Sequence, residues 1–229
     1  MGGRAGERWG RSGGDGGKSP IRGLYAIVDA GVVPLERVRN VAEQLLGGGV
    51  KILQLRAKGV PGGEFLTMAC QLRELTFKSK ALFIVNDRVD IAMAGEADGV
   101  HLGQDDIPVE EARALLGDKY LIGFSTHNLA EAAEAQGTTA DYVSFGPVFA
   151  TTTKEDAEPT LGIKALEEAR ALVKKPLVAI GGIREETLPD VISHGADAAA
   201  IISDILHCPD PGEKAARMIS LFKKSRDMA

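Results

Sequence analysis

Beyond residue 20, short and nearly continuous apolar runs alternate with longer segments in which apolar residues recur every three or four positions. The runs fall at 24–29, 51–56, 82–86, 99–102, 121–125, 142–146, 177–182 and 198–203, and their length and β-rich content predict eight strands. The spacing between them predicts helices over 35–46, 63–78, 108–116, 163–173 and 185–193, with a last one over 212–224. Pro34 and Pro108 stand at helix starts, and Gly47, Gly117 and Gly195 just past helix ends, which is the usual punctuation of helix termini.

Strands that are apolar along their whole length belong to a parallel sheet covered by helices. Eight is the closure number of a (β/α)8 TIM barrel, so the expected fold is α/β, a single barrel domain over 21–229. The competing open, doubly wound sheet often has a glycine-rich turn after its first strand. Here that strand ends in Asp29-Ala30-Gly31-Val32, with no G-x-G-x-x-G. Residues 1–20, MGGRAGERWGRSGGDGGKSP, lack both periodicity and an apolar stretch, and are expected to form a flexible glycine-rich tail rather than a secretion signal.

Composition narrows the function classes. A net charge of -5 over 229 residues disfavours a nucleic-acid surface, which needs a basic face. No apolar run approaches the roughly 18–20 residues that cross a bilayer, so no membrane partner is expected. Cys70 and Cys208 form neither a disulfide framework nor a zinc cluster, and a reducing, cytoplasmic setting is the default. Oligomeric state stays open, a homo-oligomer included.

In a barrel the C-terminal strand ends carry the chemistry, so the polar residues there are the candidates. Strand alternation puts Gln54, Arg56 and Lys58 on one face and Leu53 and Leu55 on the other. Two crowded cations call either for a diphosphate or for neighbouring carboxylates. The third strand ends in Asn86-Asp87, and the fourth is followed by Gly103-Gln104-Asp105-Asp106. Neighbouring strand ends can bring Asp87 and one of these acids together as hard ligands for Mg²⁺, while Asp105 and Asp106 also suit capping of the helix near Pro108.

Ser125-Thr126-His127 closes the fifth strand without the G-x-S-x-G of a nucleophile elbow; Ser125 reads as a hydrogen-bond donor and His127 as a cap or supporting group. Thr151, Thr152, Thr153 and Lys154 form either an oxyanion-binding loop or a solvated one. Gly181-Gly182 and Ile202-Ser203 follow the last two strands, where barrels often bind phosphate through backbone N–H groups. Gly103, Gly146 and Gly182 are read as leaving space for ligands at the rim. Two anion sites at one mouth, one with metal and cations and one of backbone amides, suggest joining two phosphorylated small molecules with loss of pyrophosphate.

From about Leu24 to Lys224 the motifs in combination resemble the thiamine phosphate synthase family. They are Q-x-R-x-K at 54–58, V-N-D at 85–87, H-L-G-Q-x-D at 101–106, T-x-T-K at 151–154, I-G-G-I at 180–183 and I-S at 202–203. The resemblance implies Asp87 and Asp106 as Mg²⁺ ligands. It implies Gln54, Arg56, Lys58, Asn86, Ser125 and Lys154 around a hydroxymethylpyrimidine diphosphate, and Thr151, Thr153, Gly182, Ile202 and Ser203 around a thiazole phosphate. Arg56, Lys58, Ser125 and Lys154 are then the catalytic candidates. Ala57 stands where the family often has an acid. The chemistry so implied is dissociative: pyrophosphate leaves, and the thiazole nitrogen captures the pyrimidine's methylene carbon without a general base. A thiazole tautomerase-like isomerase relying on His127, and a noncatalytic phosphate-binding barrel, are the alternatives; neither explains metal acids, Arg56, Lys58 and Lys154 together.

Overall fold

A computed structural model describes residues 19–151 and 159–227. Of the expected tail, residues 1–18 lie outside the described residues. The elements are β1 (Gly23–Asp29), α1 (Leu35–Gly47), β2 (Ile52–Arg56), α2 (Gly62–Ser79), β3 (Leu82–Asn86), α3 (Val89–Ala94), β4 (Gly99–Leu102), α4 (Val109–Leu116), β5 (Leu121–Thr126), α5 (Leu129–Gly137), β6 (Tyr142–Phe145), α6 (Ile163–Leu172), β7 (Leu177–Ile180), α7 (Leu188–Ser193), β8 (Ala198–Ile201), α8 (Ser203–Leu206) and α9 (Pro211–Asp227). Every strand is parallel to its neighbours, and β8 pairs with β1 to close the expected eight-stranded barrel.

Alternation along the strands divides the core in two. Tyr25, Ile27, Ile52, Leu82, Ile84, Tyr142, Val178 and Ala198 point inward and fill the barrel. Leu24, Leu53, Leu55, Phe83, Val85, Val100 and Val143 point outward and pack with the helices. Helix α1 shows how the outer layer forms: Val38, Val41, Ala42 and Leu45 recur at three- and four-residue steps, and all four are buried.

The N-terminal end of the barrel carries a threefold device built from one short sequence pattern, Ala-Asp, at Ala97-Asp98, Ala140-Asp141 and Ala196-Asp197. Each aspartate directly precedes an even-numbered strand. Asp98 Oδ2 accepts from the Phe83 N–H at 2.9 Å and from Arg73 of α2 at 2.9 Å. Asp141 Oδ2 accepts from the Ile122 N–H at 2.8 Å and from Arg113 of α4 at 2.5 Å. Asp197 Oδ2 accepts from the Leu177 N–H at 2.8 Å and from Arg170 of α6 at 2.7 Å. One carboxylate thus ties a strand, its neighbour and a covering helix, leaving the opposite end free for chemistry.

Strand expectations differ from the structure by at most two residues at an end. Helices α3 and α5 escape periodicity for different reasons: α3 has only six residues, and the Leu129–Gly137 segment LAEAAEAQG presents alanines rather than bulky apolar side chains. Asn128 supplies α5 with a side-chain cap, accepting from the Glu131 N–H at 2.9 Å.

Because Asp98 is 3% exposed, Arg73→Ala leaves a buried charge without its guanidinium. The expected cost of about 3–5 kcal/mol lowers the melting temperature by on the order of 10 °C. A thermal melt followed by circular dichroism checks this, and an unchanged midpoint contradicts it.

Candidate active site

The register of β1 against β2 places Asp29 opposite Arg56 at the C-terminal rim. Arg56 Nη1 donates to Asp29 Oδ2 at 2.7 Å, while Asp29 Oδ1 accepts from the Gly31 N–H at 2.9 Å. The carboxylate partner left open for this cation is therefore Asp29. One arm of the guanidinium is held, and a fork of five N–H donors retains others for an anion. Lys58, past the end of β2, is 67% exposed along its side chain and stands 3.9 Å from Asp87 Oδ2.

Asp87 leaves β3 in the left-handed region, φ 63°, with its N–H donating to the His101 carbonyl at 2.8 Å. That turn brings its carboxyl against Asp106, with which it shares a hydrogen bond. Asp106 Oδ2 also accepts from the Gly103 N–H at 2.6 Å. Neither Asp105 nor Asp106 caps α4: Pro108 occupies the cap position without a side-chain bond, and Asp106 is committed to the loop before it. Partial burial, then the Asp106 charge and the shared bond, push the Asp87 carboxyl up to about 6, against the opposing pull of Lys58 and Arg56. Asn86, Asp87 and Asp106 line a cavity of about 270 Å³ together with Lys58, Phe65 and Arg88. Arg88 is balanced by Asp90, at 2.5 Å.

Two half-buried carboxylates held side by side offer the hard oxygens that Mg²⁺ takes. Among the described residues no group of three or more His, Cys, Asp or Glu side chains is placed to hold a metal ion. The pair therefore fits Mg²⁺ only in its usual manner, with water and substrate phosphate oxygens completing the shell. Charge supports the same fit. Among the described rim residues Arg56 and Lys58 face Asp29, Asp87 and Asp106, an excess of negative charge that repels a diphosphate until a divalent cation reverses it.

Beneath the rim lies a polar column. Gln54 Nε2 donates to Tyr25 Oη at 2.8 Å, Tyr25 Oη is 2.9 Å from Tyr142 Oη, and Tyr142 Oη is 3.1 Å from His101 Nδ1. His101 Nε2 then reaches Ser125 Oγ at 2.9 Å and Ser144 Oγ at 3.3 Å. The His101 and Tyr142 rings stack at 5.5 Å, and Gly123 makes the room: a Cβ there would stand 2.1 Å from Tyr142 and 2.3 Å from His101. Asp29, Tyr25, Tyr142 and Ser144 were not singled out by motif reading. The alternation of β1, with Tyr25, Ile27 and Asp29 on one face, was the available signal.

On the far side of the mouth, the expectation that Gly146 and Gly182 leave space for ligands is overturned. A Cβ on Gly146 would meet the Ile180 carbonyl at 2.1 Å, and one on Gly182 the Ala150 carbonyl at 2.4 Å. These glycines are required by the chain's own backbone, which packs the loop after β6 onto the end of β7. The Gly182 N–H remains a candidate donor. Thr151, six residues past β6, is half-buried, while Thr153 and Lys154 lie outside the described residues. Ile202 is 9% exposed and precedes α8, whose first residue is Ser203. His127 stands apart from the acid and cation group: its Nδ1 is 3.4 Å from Glu131 Oε2, beside the start of α5.

The model of the family described as thiamine monophosphate synthase matches residues 24–205, from β1 into α8. This chain belongs to that family. It is 42% identical over 206 residues to the thiamine-phosphate synthase of Chloroflexus aurantiacus, covering 90% of this chain and 95% of the relative. It is 46% identical over 183 residues to that of Methanoculleus marisnigri, covering 80% of this chain and 87% of the relative. Among solved structures, thiamine phosphate pyrophosphorylase from Pyrococcus furiosus superposes with a TM-score of 0.82 at 36% identity, covering 88% of this chain and 96% of that one. The family match thus contains every rim position described above.

The raised Asp87 carboxyl makes a signed prediction for the metal-free protein. Protonated Asp87 stabilises the fold fully below about pH 4, and that contribution is lost as pH rises through about 6. Asp106→Asn keeps an acceptor for Gly103 but removes the repulsion. Its melting temperature should exceed that of the parent at pH 8 in chelator and match it at pH 4; parallel curves across this range contradict the pairing.

Proposed function

We propose that this chain is a thiamine-phosphate synthase, a transferase that joins 4-amino-2-methyl-5-hydroxymethylpyrimidine diphosphate to 4-methyl-5-(2-hydroxyethyl)thiazole phosphate with release of pyrophosphate. The observation that carries the reading is the acid pair Asp87 and Asp106 sharing one rim with Arg56 and Lys58. Acids without cations suit a bare metal site, and cations without acids a simple phosphate; both together suit a metal diphosphate.

Asp87 and Asp106 would hold Mg²⁺, which when bound supplies positive charge against the departing diphosphate. Arg56, preset by Asp29, and the exposed Lys58 bind the same oxygens, with Lys154 from the loop after β6. Gln54, Asn86 and Ser125 orient the pyrimidine half. Thr151, Thr153, Gly182, Ile202 and Ser203 hold the thiazole phosphate, which fixes the thiazole nitrogen against the methylene carbon. The electron-rich aminopyrimidine carries the positive charge that develops as the carbon–oxygen bond breaks. Residues around the site then have three tasks: neutralise the leaving group, align the two rings, and keep out water that would otherwise capture the carbon. A cytoplasmic workplace accords with Cys70 and Cys208, which form no disulfide. Among the described residues no helix is long and apolar enough to cross a membrane.

Pyrophosphate release measured with both substrates and Mg²⁺ tests the reading, with each omitted in turn as a control. Turnover is expected only with the complete mixture, and Lys58→Ala should lower kcat/KM by about a hundredfold. No turnover in the complete mixture contradicts the assignment.

A further inference from the structure

The polar column inside the barrel has a direction that can be worked out by counting protons. Gln54 Nε2 and the two phenols each have hydrogens to place, and each phenol has only one. Gln54 Nε2 is a donor, so the Tyr25 hydrogen is left for Tyr142, and the Tyr142 hydrogen in turn for His101 Nδ1. His101 Nδ1 is then an acceptor, and the ring proton sits on Nε2, where it meets Ser125 Oγ at 2.9 Å and Ser144 Oγ at 3.3 Å. Ser144 Oγ also donates to Ser125 Oγ, at 3.4 Å. A serine oxygen accepting from both neighbours has used its two lone pairs and has one hydrogen left to give.

We propose that Tyr142 is a positioning residue that sets the polarity at His101, holding it as the Nε2–H tautomer and leaving the Ser125 hydroxyl to donate to the pyrimidine diphosphate. The inference rests on the function proposed above for the identity of the substrate, but not for the tautomer. Both phenols are fully buried, and burial pushes their pKa values up, so each keeps the hydrogen that the count requires. Gly123 secures the geometry, because any side chain there would displace the stacked His101 and Tyr142 rings. The opposite polarity requires the Gln54 amide turned round, Tyr25 donating to its oxygen, and a proton on His101 Nδ1. Ser125, nearer to Nε2 than Ser144 is, would then spend its hydrogen on the histidine and face the substrate only as an acceptor, a poor neighbour for phosphate oxygens. The polarity thus decides whether Ser125 attracts or repels the anionic substrate.

Nitrogen-15 NMR of the uniformly labelled full-length protein reads the tautomer directly, with the His101 signals among the four histidines assigned by comparison with His101→Gln. The expected spectrum has a protonated, pyrrole-like Nε2 and a bare, pyridine-like Nδ1. Tyr142→Phe removes the hydrogen that Nδ1 accepts and should move the Nδ1 signal to the position of an unbonded pyridine-like nitrogen. The same variant should lower kcat/KM for the diphosphate substrate about tenfold, and by no more when combined with Ser125→Ala than Ser125→Ala does alone. Tyr25→Phe leaves Tyr142 able to donate and should keep the Nε2–H tautomer. A wild-type His101 protonated on Nδ1 overturns the proposal without recourse to any variant, as does an unchanged Nδ1 signal in Tyr142→Phe. Absence of pyrophosphate release from a wild-type protein with the expected spectrum would instead overturn the substrate assignment alone.

Discussion

Closure of the sheet by the pairing of β8 with β1 is the constraint on which the rest of the molecule depends. Once eight parallel strands form a ring, alternation leaves each inward side chain no partner except others in the ring. Apolar residues such as Ile52, Leu82 and Ile84 meet that condition by packing. Polar ones must meet it by bonding, because an unpaired buried donor or acceptor is costly. Gln54, Tyr25, Tyr142 and His101 do so as one column. Closure also divides labour between the two ends: strand-preceding aspartates and helix arginines knit the N-terminal end, while the C-terminal end gathers charges that are not fully neutralised among themselves.

That imbalance is what gives the rim its chemistry. Arg56 is half-committed to Asp29, and Lys58 reaches Asp87 only at 3.9 Å. Partial burial, and then the charge of Asp106 beside it, push the Asp87 carboxyl up to about 6. A fold optimised for stability alone would separate such groups. Under the proposed function, holding them together is a cost recovered when a divalent cation and an anion enter as a pair, since each ligand would remove the repulsion that the other would face.

Much of this was legible in the chain. Strand positions followed from apolar runs that few other structures produce, and the rim residues Gln54, Arg56, Asn86, Asp87 and Asp106 followed from their place at strand ends. What escaped depended on contacts between distant segments. Asp29 looked like a strand terminator because its partner Arg56 is on the next strand. Tyr25 and Tyr142, 117 residues apart, are ordinary β-formers until register brings their hydroxyls to 2.9 Å. Glycine was the most misleading signal: Gly146 and Gly182 suggested open space, but that space is occupied by the carbonyls of Ile180 and Ala150. A glycine reports that something approaches closely and is silent on whether that is a ligand or the chain itself.

If acids and cations at the rim act as one clamp, Mg²⁺ and pyrophosphate must strengthen each other's binding. Titration calorimetry of Mg²⁺ into the protein, alone and with saturating pyrophosphate, measures this coupling, with Mg²⁺ titrated into pyrophosphate alone as the reference. Mg²⁺ should bind at least about tenfold more tightly to the pyrophosphate-loaded protein than to either the protein or pyrophosphate alone, and Asp87→Asn with Asp106→Asn should abolish the gain. Equal Mg²⁺ affinity with and without pyrophosphate would contradict a shared metal diphosphate site.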